Sequence, residues 1–157
     1  MRRKIFLLII ILFLTNNCGF TPKYAGYKGI NYDLDLNKIS GDRELNNFVK
    51  SQLKRYENKK ESEIEIITID IESKFEKKAI ARNTKGNVTR FDLIAQVEVT
   101  LTLEDITKKL TINDNFKIDK IEDSVEESNY ILIVKKDFAK RTMEKLIFYI
   151  RTNFINK

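Results

Sequence analysis

Apolar side chains occupy every odd position from Phe91 to Leu103: Phe91, Leu93, Ala95, Val97, Val99, Leu101 and Leu103. A period of two is the spacing of one face of a β-strand. It predicts a strand over 88–103, with Ile94 the one bulky aliphatic on the other face. Upstream, Ile64, Ile66, Ile67, Ile69, Ile71 and Phe75 predict a second strand over 64–76. Its phase slips at Ile66-Ile67, and because a one-residue slip would exchange the faces, a β-bulge is expected there. Asn83-Thr84-Lys85-Gly86-Asn87 between the two is turn chemistry, with Gly86 suited to a positive φ, so the pair reads as a long hairpin. A second turn over 104–108 leads into a strand over 109–119, where Leu110, Ile112, Phe116 and Ile118 share a face that Asp114 interrupts. An earlier strand, 27–36, sets Ile30, Tyr32, Leu34 and Leu36 against Asn31, Asp33 and Asp35.

Two stretches carry helical spacing. Ser40-Gly41 breaks the first strand, and Asp42 and Glu44 suit the first turn of a helix. Its stripe is Leu45, Phe48, Val49, Leu53 and Tyr56, about four turns. The run 57–63 is a solvated connection. An acidic loop (Glu122, Asp123, Glu126, Glu127) and Ser128-Asn129-Tyr130 precede a C-terminal helix over 134–154, striped by Phe138, Ala139, Met143, Leu146, Ile147, Ile150 and Phe154. The order β-α-β-β-β-α predicts an α+β two-layer sandwich. A four-stranded, mostly antiparallel sheet carries two amphipathic helices on one face and leaves the other open to water or a partner. A right-handed crossover would add the first strand in parallel; the strand order stays open.

The first residues read differently. Arg2, Arg3 and Lys4 precede ten unbroken apolar residues, Ile5 to Leu14, then Thr15-Asn16-Asn17 and the single cysteine, Cys18. A membrane span needs about 20 apolar residues, so this shorter run is a signal for export. Cys18 stands where a bacterial lipoprotein signal ends and reads as the lipidated first residue of the mature chain. The alternatives are an ordinary signal with a cysteine nearby or an uncleaved anchor. Gly19 is not followed by Asp, which favours the outer membrane over inner-membrane retention. The expected organisation is a signal peptide over 1–17, a lipidated tether over 18–26 and one domain over 27–157.

Removing that leader changes the charge. Three of the 29 bases and none of the 23 acids precede Cys18, which lowers the formal charge from +6 to +3. The chain has no histidine, hence neither the commonest general base nor the commonest transition-metal ligand. No carboxylate spacing picks out an acid/base pair, no Gly-rich loop cradles phosphate, and the acidic loop lacks the spacing of a calcium loop. A non-enzymatic protein without metal or cofactor is expected. One charge feature remains: Lys77, Lys78, Arg82, Lys85 and Arg90 fall between 77 and 91 with no acid among them. In an exported protein such a strand end meets anionic lipids and phosphorylated glycolipids rather than nucleic acid, and Lys and Arg can hold their phosphates. The alternative is that the lysines only keep a strand edge soluble.

The runs CGFTPKYAG, IARNTKGNVTRFDLIAQVEVTL and SNYILIVKKDFAKRTMEKLIFYI, in that order, resemble the lipopolysaccharide-assembly lipoprotein (LptE) family, particularly its alphaproteobacterial branch. Gly86, Thr89 and Arg90 match the family's hairpin; Ser128 and Tyr130 match a Ser-Tyr-like strand end that precedes an Ala-containing terminal helix, here with Ala139. The resemblance implies a four-stranded sheet backed by two helices, with no enzymatic activity. It also implies a place on the periplasmic side of the outer membrane, held by lipid on Cys18. Such proteins plug the outer-membrane β-barrel LptD, help it assemble and pass lipopolysaccharide to the outer leaflet. Arg82, Lys85 and Arg90, with Lys77 and Lys78 beside them, then become candidate lipopolysaccharide contacts. The competing expectation is an auxiliary periplasmic lipoprotein of another lipid-transport or secretion system, resembling a pilotin. A plug should present a broad polar surface; the auxiliary protein should present an exposed apolar groove.

Overall fold

The computed structural model describes residues 32–56 and 65–154. The expected signal, the tether, Ile30, the connection 57–63 and Ile64 lie outside them. Within the described chain the elements are β1 (Tyr32–Gly41), α1 (Arg43–Leu53), β2 (Glu65–Arg82), β3 (Val88–Leu103), β4 (Ile106–Asp119) and α2 (Ser124–Phe154). The sheet order is β1-β2-β3-β4, with β1 parallel to β2 and the other pairs antiparallel. This is the α+β architecture that the periodicity predicts.

Register explains the core. Ile69 lies opposite Leu101, Ile71 opposite Val99, and Val97 opposite Ile112, so the odd positions of β2 and β3 make one apolar face. Leu45, Val49 and Leu53 of α1 are buried, as are Phe138, Met143, Leu146, Ile147 and Ile150 of α2. Each such side chain removed from water contributes roughly 2 kcal/mol. Even positions of β2 and β3 point the other way and are mostly Thr, Asp, Glu, Lys or Gln.

Several expectations are corrected. No bulge occurs at Ile66-Ile67: pairing is continuous from Tyr32 opposite Glu65 to Leu36 opposite Ile69, which turns Ile67 inward and leaves Ile66 56% exposed on the outer face. The bulge falls in β1 between Leu36 and Lys38 and returns Ile39 to the inner face opposite Ile71. That shift carries β1 on through Ser40 to Gly41 instead of ending it at Leu36. Helix α1 has 11 residues, about three turns. Helix α2 starts at Ser124, ten residues before the expected Val134, because Asp123 caps it: its Oδ1 accepts from the amides of Val125 and Glu126, both at 2.8 Å. Glu126 and Glu127 then lie in the first turn, where the helix dipole favours acids. β2 and β4 are likewise longer than their apolar patterns, and Ser128 and Tyr130, matched by resemblance to a strand end, lie inside α2.

The end of β1 is fixed by contact. Gly41 has φ +103°, and a Cβ there would fall 1.8 Å from the Ser73 carbonyl oxygen. The next amide, Asp42 N–H, donates to that oxygen at 3.1 Å. Asp42 also caps α1 by accepting from Leu45 N at 2.8 Å. Against the same corner α2 delivers Lys135, whose side chain is 7% exposed. Its ammonium donates to both Asp42 oxygens (3.0 and 2.9 Å) and to Glu44 Oε2 (2.8 Å), and lies 4.4 Å from the centre of the Phe75 ring. Beneath it Ser73 Oγ donates to Asn46 Oδ1 at 2.7 Å. A cation that is buried is tolerated only when paired in this way.

Gly41→Ala should lower unfolding stability by at least about 2 kcal/mol, because strain at positive φ adds to a backbone clash. Gly86→Ala, at φ +83° with nothing within 4 Å of the new Cβ, should cost about 1 kcal/mol. Urea unfolding of the two variants checks the difference. Lys135→Ala should cost about 2 kcal/mol, and Lys135→Met less, since the longer apolar stem keeps its packing against Phe75.

Candidate functional site at the hairpin tip

The turn that joins β2 to β3 is built by Asn83. Its amide donates to Asn87 O and its carbonyl accepts from Gly86 N, both at 2.9 Å, while Oδ1 accepts from the amides of Lys85 and Asn87 at 3.0 Å. Register shifts between Ala79 and Arg82 twist β2 as it enters the turn. Such shifts re-aim side chains at a strand end.

The five bases named from sequence share this end of the domain but not one surface. Lys77 points to the helix layer, pairs with Glu127 of α2 and stacks over the Phe91 ring at 3.9 Å. Arg82 is spent on the turn, with Nη1 donating to Gly86 O at 2.8 Å. Arg90 pairs through Nε with Asp119 Oδ1 at 2.8 Å, both well exposed. Lys78 lies on the outer face of the sheet and Lys85 at the turn. Neither makes a side-chain hydrogen bond or ion pair among the described residues.

The sheet adds what the sequence window did not contain. Asp92 lies opposite both Lys78 on β2 and Lys117 on β4, giving a cross-strand row of base, acid and base. Asn115 Nδ2 donates to Asp92 at 3.2 Å and holds the carboxylate in place. Lys117, absent from the sequence-based cluster, is thus a further base of the same face; only the β3–β4 register reveals it. Asp92, Asp119 and Glu127 temper a stretch that looked acid-free. Nearby, Lys74 holds the Glu76 carboxyl below its ordinary range by a hydrogen bond and charge, and Glu76 raises Lys74 in return.

Lys78, Lys85 and Lys117 present ammonium groups without an ion-pair partner among the described residues, which is the chemistry that an anion site requires. Among the described residues no cluster of acids or cysteine is placed to hold a metal ion, and no helix is long and apolar enough to cross a membrane.

The domain is similar to solved structures. Rare lipoprotein B from Shewanella oneidensis matches with a TM-score of 0.55 at 16% identity, over 74% of this chain and 95% of that one. A Caulobacter crescentus CB15 chain provisionally assigned as a lipoprotein matches with a TM-score of 0.53 at 12% identity, over 79% of this chain and 92% of that one. At such identities the likeness is one of fold: the domain has a fold found among bacterial lipoproteins. No family model and no curated relative matches the chain.

Proposed function

We propose that the chain is a non-enzymatic outer-membrane lipoprotein, anchored through Cys18 on the periplasmic side. On this reading it plugs the lipopolysaccharide-translocating β-barrel LptD, helps it assemble and delivers lipopolysaccharide to the outer leaflet. The observation that carries the reading is the open face of the sheet. It is broad and polar, with Thr68, Asp70, Gln96, Thr100 and Asn113 along it, while the apolar residues pack between sheet and helices. A barrel interior is polar, so a face of this kind fits inside one. The exposed large apolar side chains fall on both sheet faces (Ile66 and Ile80 on one, Ile106 and Phe116 on the other) and on α2, a distribution that fits an apolar docking groove poorly.

The polarity of the domain supports the same reading. Tyr32, where the described chain begins, pairs with Glu65 at the start of β2, and the basic turn lies at the other end of that 18-residue strand. The distance is on the order of 50 Å. The bases therefore stand at the end of the hairpin remote from Tyr32. The sequence resemblance and the fold shared with rare lipoprotein B point the same way.

A tagged, full-length chain should bring down a large β-barrel from outer-membrane extracts; recovery of the lipoprotein without any barrel sinks the plug. Lys78→Glu, Lys85→Glu and Lys117→Glu together should weaken lipopolysaccharide binding by at least about tenfold, since each charge-assisted hydrogen bond to phosphate is worth about 1.5 kcal/mol or more. The melting temperature should fall by no more than a few degrees, because none of the three makes an ion pair among the described residues and the two new carboxylates only flank Asp92 on an exposed face. Unchanged binding would return these lysines to keeping a strand edge soluble.

A further inference from the structure

Among the described residues the sheet has three uncovered edges, and they are not treated alike. On β1, Asp33 Oδ1 accepts from the amide of Leu34 at 3.0 Å, and the bulge after Leu36 kinks the edge. On β4, Asp114 Oδ1 accepts from the amide of Asn115 at 3.0 Å. The register turns both amides away from the neighbouring strand, so each outer edge has a donor occupied by its own side chain. This is how natural sheets discourage added strands.

The third edge is the upper half of β2, left open because β1 ends opposite Ser73. Ser73 directs its carbonyl to this side, where Asp42 N–H meets it. By strand alternation the N–H and C=O of Phe75, Lys77 and Ala79 point the same way. Among the described residues no side chain or strand takes them. The register with β3 is unbroken from Ser73 to Ala79, and residues 76–80 are all exposed. The edge carries Lys74, Lys77 and Lys78; Lys74 holds Glu76 at 2.7 Å and Lys77 is paired with Glu127, which leaves Lys78 without an ion pair among the described residues. Lysines on an edge repel basic strands, but they attract acidic ones.

We infer that the β2 edge from Lys74 to Ala79 docks an extended, acidic peptide segment of a partner protein, which continues the row of β1 beyond Gly41. Main-chain bonds to Phe75, Lys77 and Ala79 supply the affinity, and Lys74 and Lys78 select for acidic side chains. The site shares Lys78 with the proposed anion-binding tip but differs from it in offering backbone groups and taking a strand, not a phosphate.

The test is amide exchange on the full chain in detergent, with an eight-residue peptide alternating valine and aspartate. A counterpart alternating valine and lysine is the control. The acidic peptide should slow exchange at Phe75, Lys77 and Ala79 by about tenfold or more and leave Leu34 and Asn115 unchanged; the basic peptide should slow none of them. Absence of slowing, equal slowing by both peptides, or slowing at Leu34 or Asn115 instead would overturn the proposal. Protection at Phe75 that rises with the protein's own concentration would give the edge to a second copy and overturn it as well. Lys74→Glu with Lys78→Glu, both on the solvated face, should raise the acidic peptide's apparent Kd by about tenfold or more. Retained affinity in that folded variant would also refute the proposal.

Discussion

The approach of Gly41 to the Ser73 carbonyl is the contact on which the rest of this domain depends. Because a side chain cannot fit there, the chain can lie flat against β2 up to that point and then leave the sheet. Asp42 converts the exit into a helix start by capping α1, and Lys135 fastens the same corner to α2. One short stretch therefore sets where the parallel strand stops, where the helix layer begins and how the two helices meet. The cation is buried at the N-terminus of α1, an unfavourable place for positive charge near a helix dipole. The carboxylates of Asp42 and Glu44 reverse that local field and make the position tolerable.

With β1 ended halfway, the upper half of the sheet has to be held by other means. Helix α2 supplies them through its length: 31 residues span about 46 Å, close to the length of the hairpin. It is pinned at intervals. Glu127 meets Lys77 near the tip, Arg141 Nε lies 2.6 Å from Asp114 in the middle, and Asn153 O accepts from Lys108 at 3.0 Å near the other end. Asp114, which interrupts the apolar face of β4, thus has a counter-charge. Arg141 also reaches Asp137 one turn earlier and lies over the Phe138 ring. The acid on the wrong face is half of a clasp between sheet and helix.

The parts that sequence revealed are those where burial on one face forces a period. β3, packed between β2 and β4 under the helices, is apolar at every odd position from Phe91 to Leu103 and is the clearest strand in the chain. β1 and the stripe of α2 from Phe138 onward were legible for the same reason. The upper half of β2 was not, since Lys77 and Ala79 occupy inward positions and the strand there follows from pairing with β3 rather than from apolar burial. The first turns of α2 were hidden because Ser, Glu and Asn there resemble loop composition, and the cap that organises them is a single Asp. The displaced bulge has a similar origin: Ile66 and Ile67 in sequence cannot say which of the two faces solvent. Lys135 and Lys117 carry no local signal. One matters through a corner made by α1 and the other through its register with Asp92.

That same distinction sorts the basic residues by what they can exchange. Lys77 pairs with Glu127 where both side chains are largely shielded, and it also covers Phe91. Removing it would leave an acid and a ring half-covered, so its charge is committed to the fold. Arg82 is committed too, because its bond to Gly86 O closes the turn. Arg90 is different: its pair with Asp119 is exposed on both sides, and such pairs are worth about 1 kcal/mol or less. A phosphate offering two charge-assisted bonds competes well with that. Arg90 can therefore change partners while Lys77 and Arg82 cannot, and the anion binding proposed for the tip rests on bases that the fold does not need.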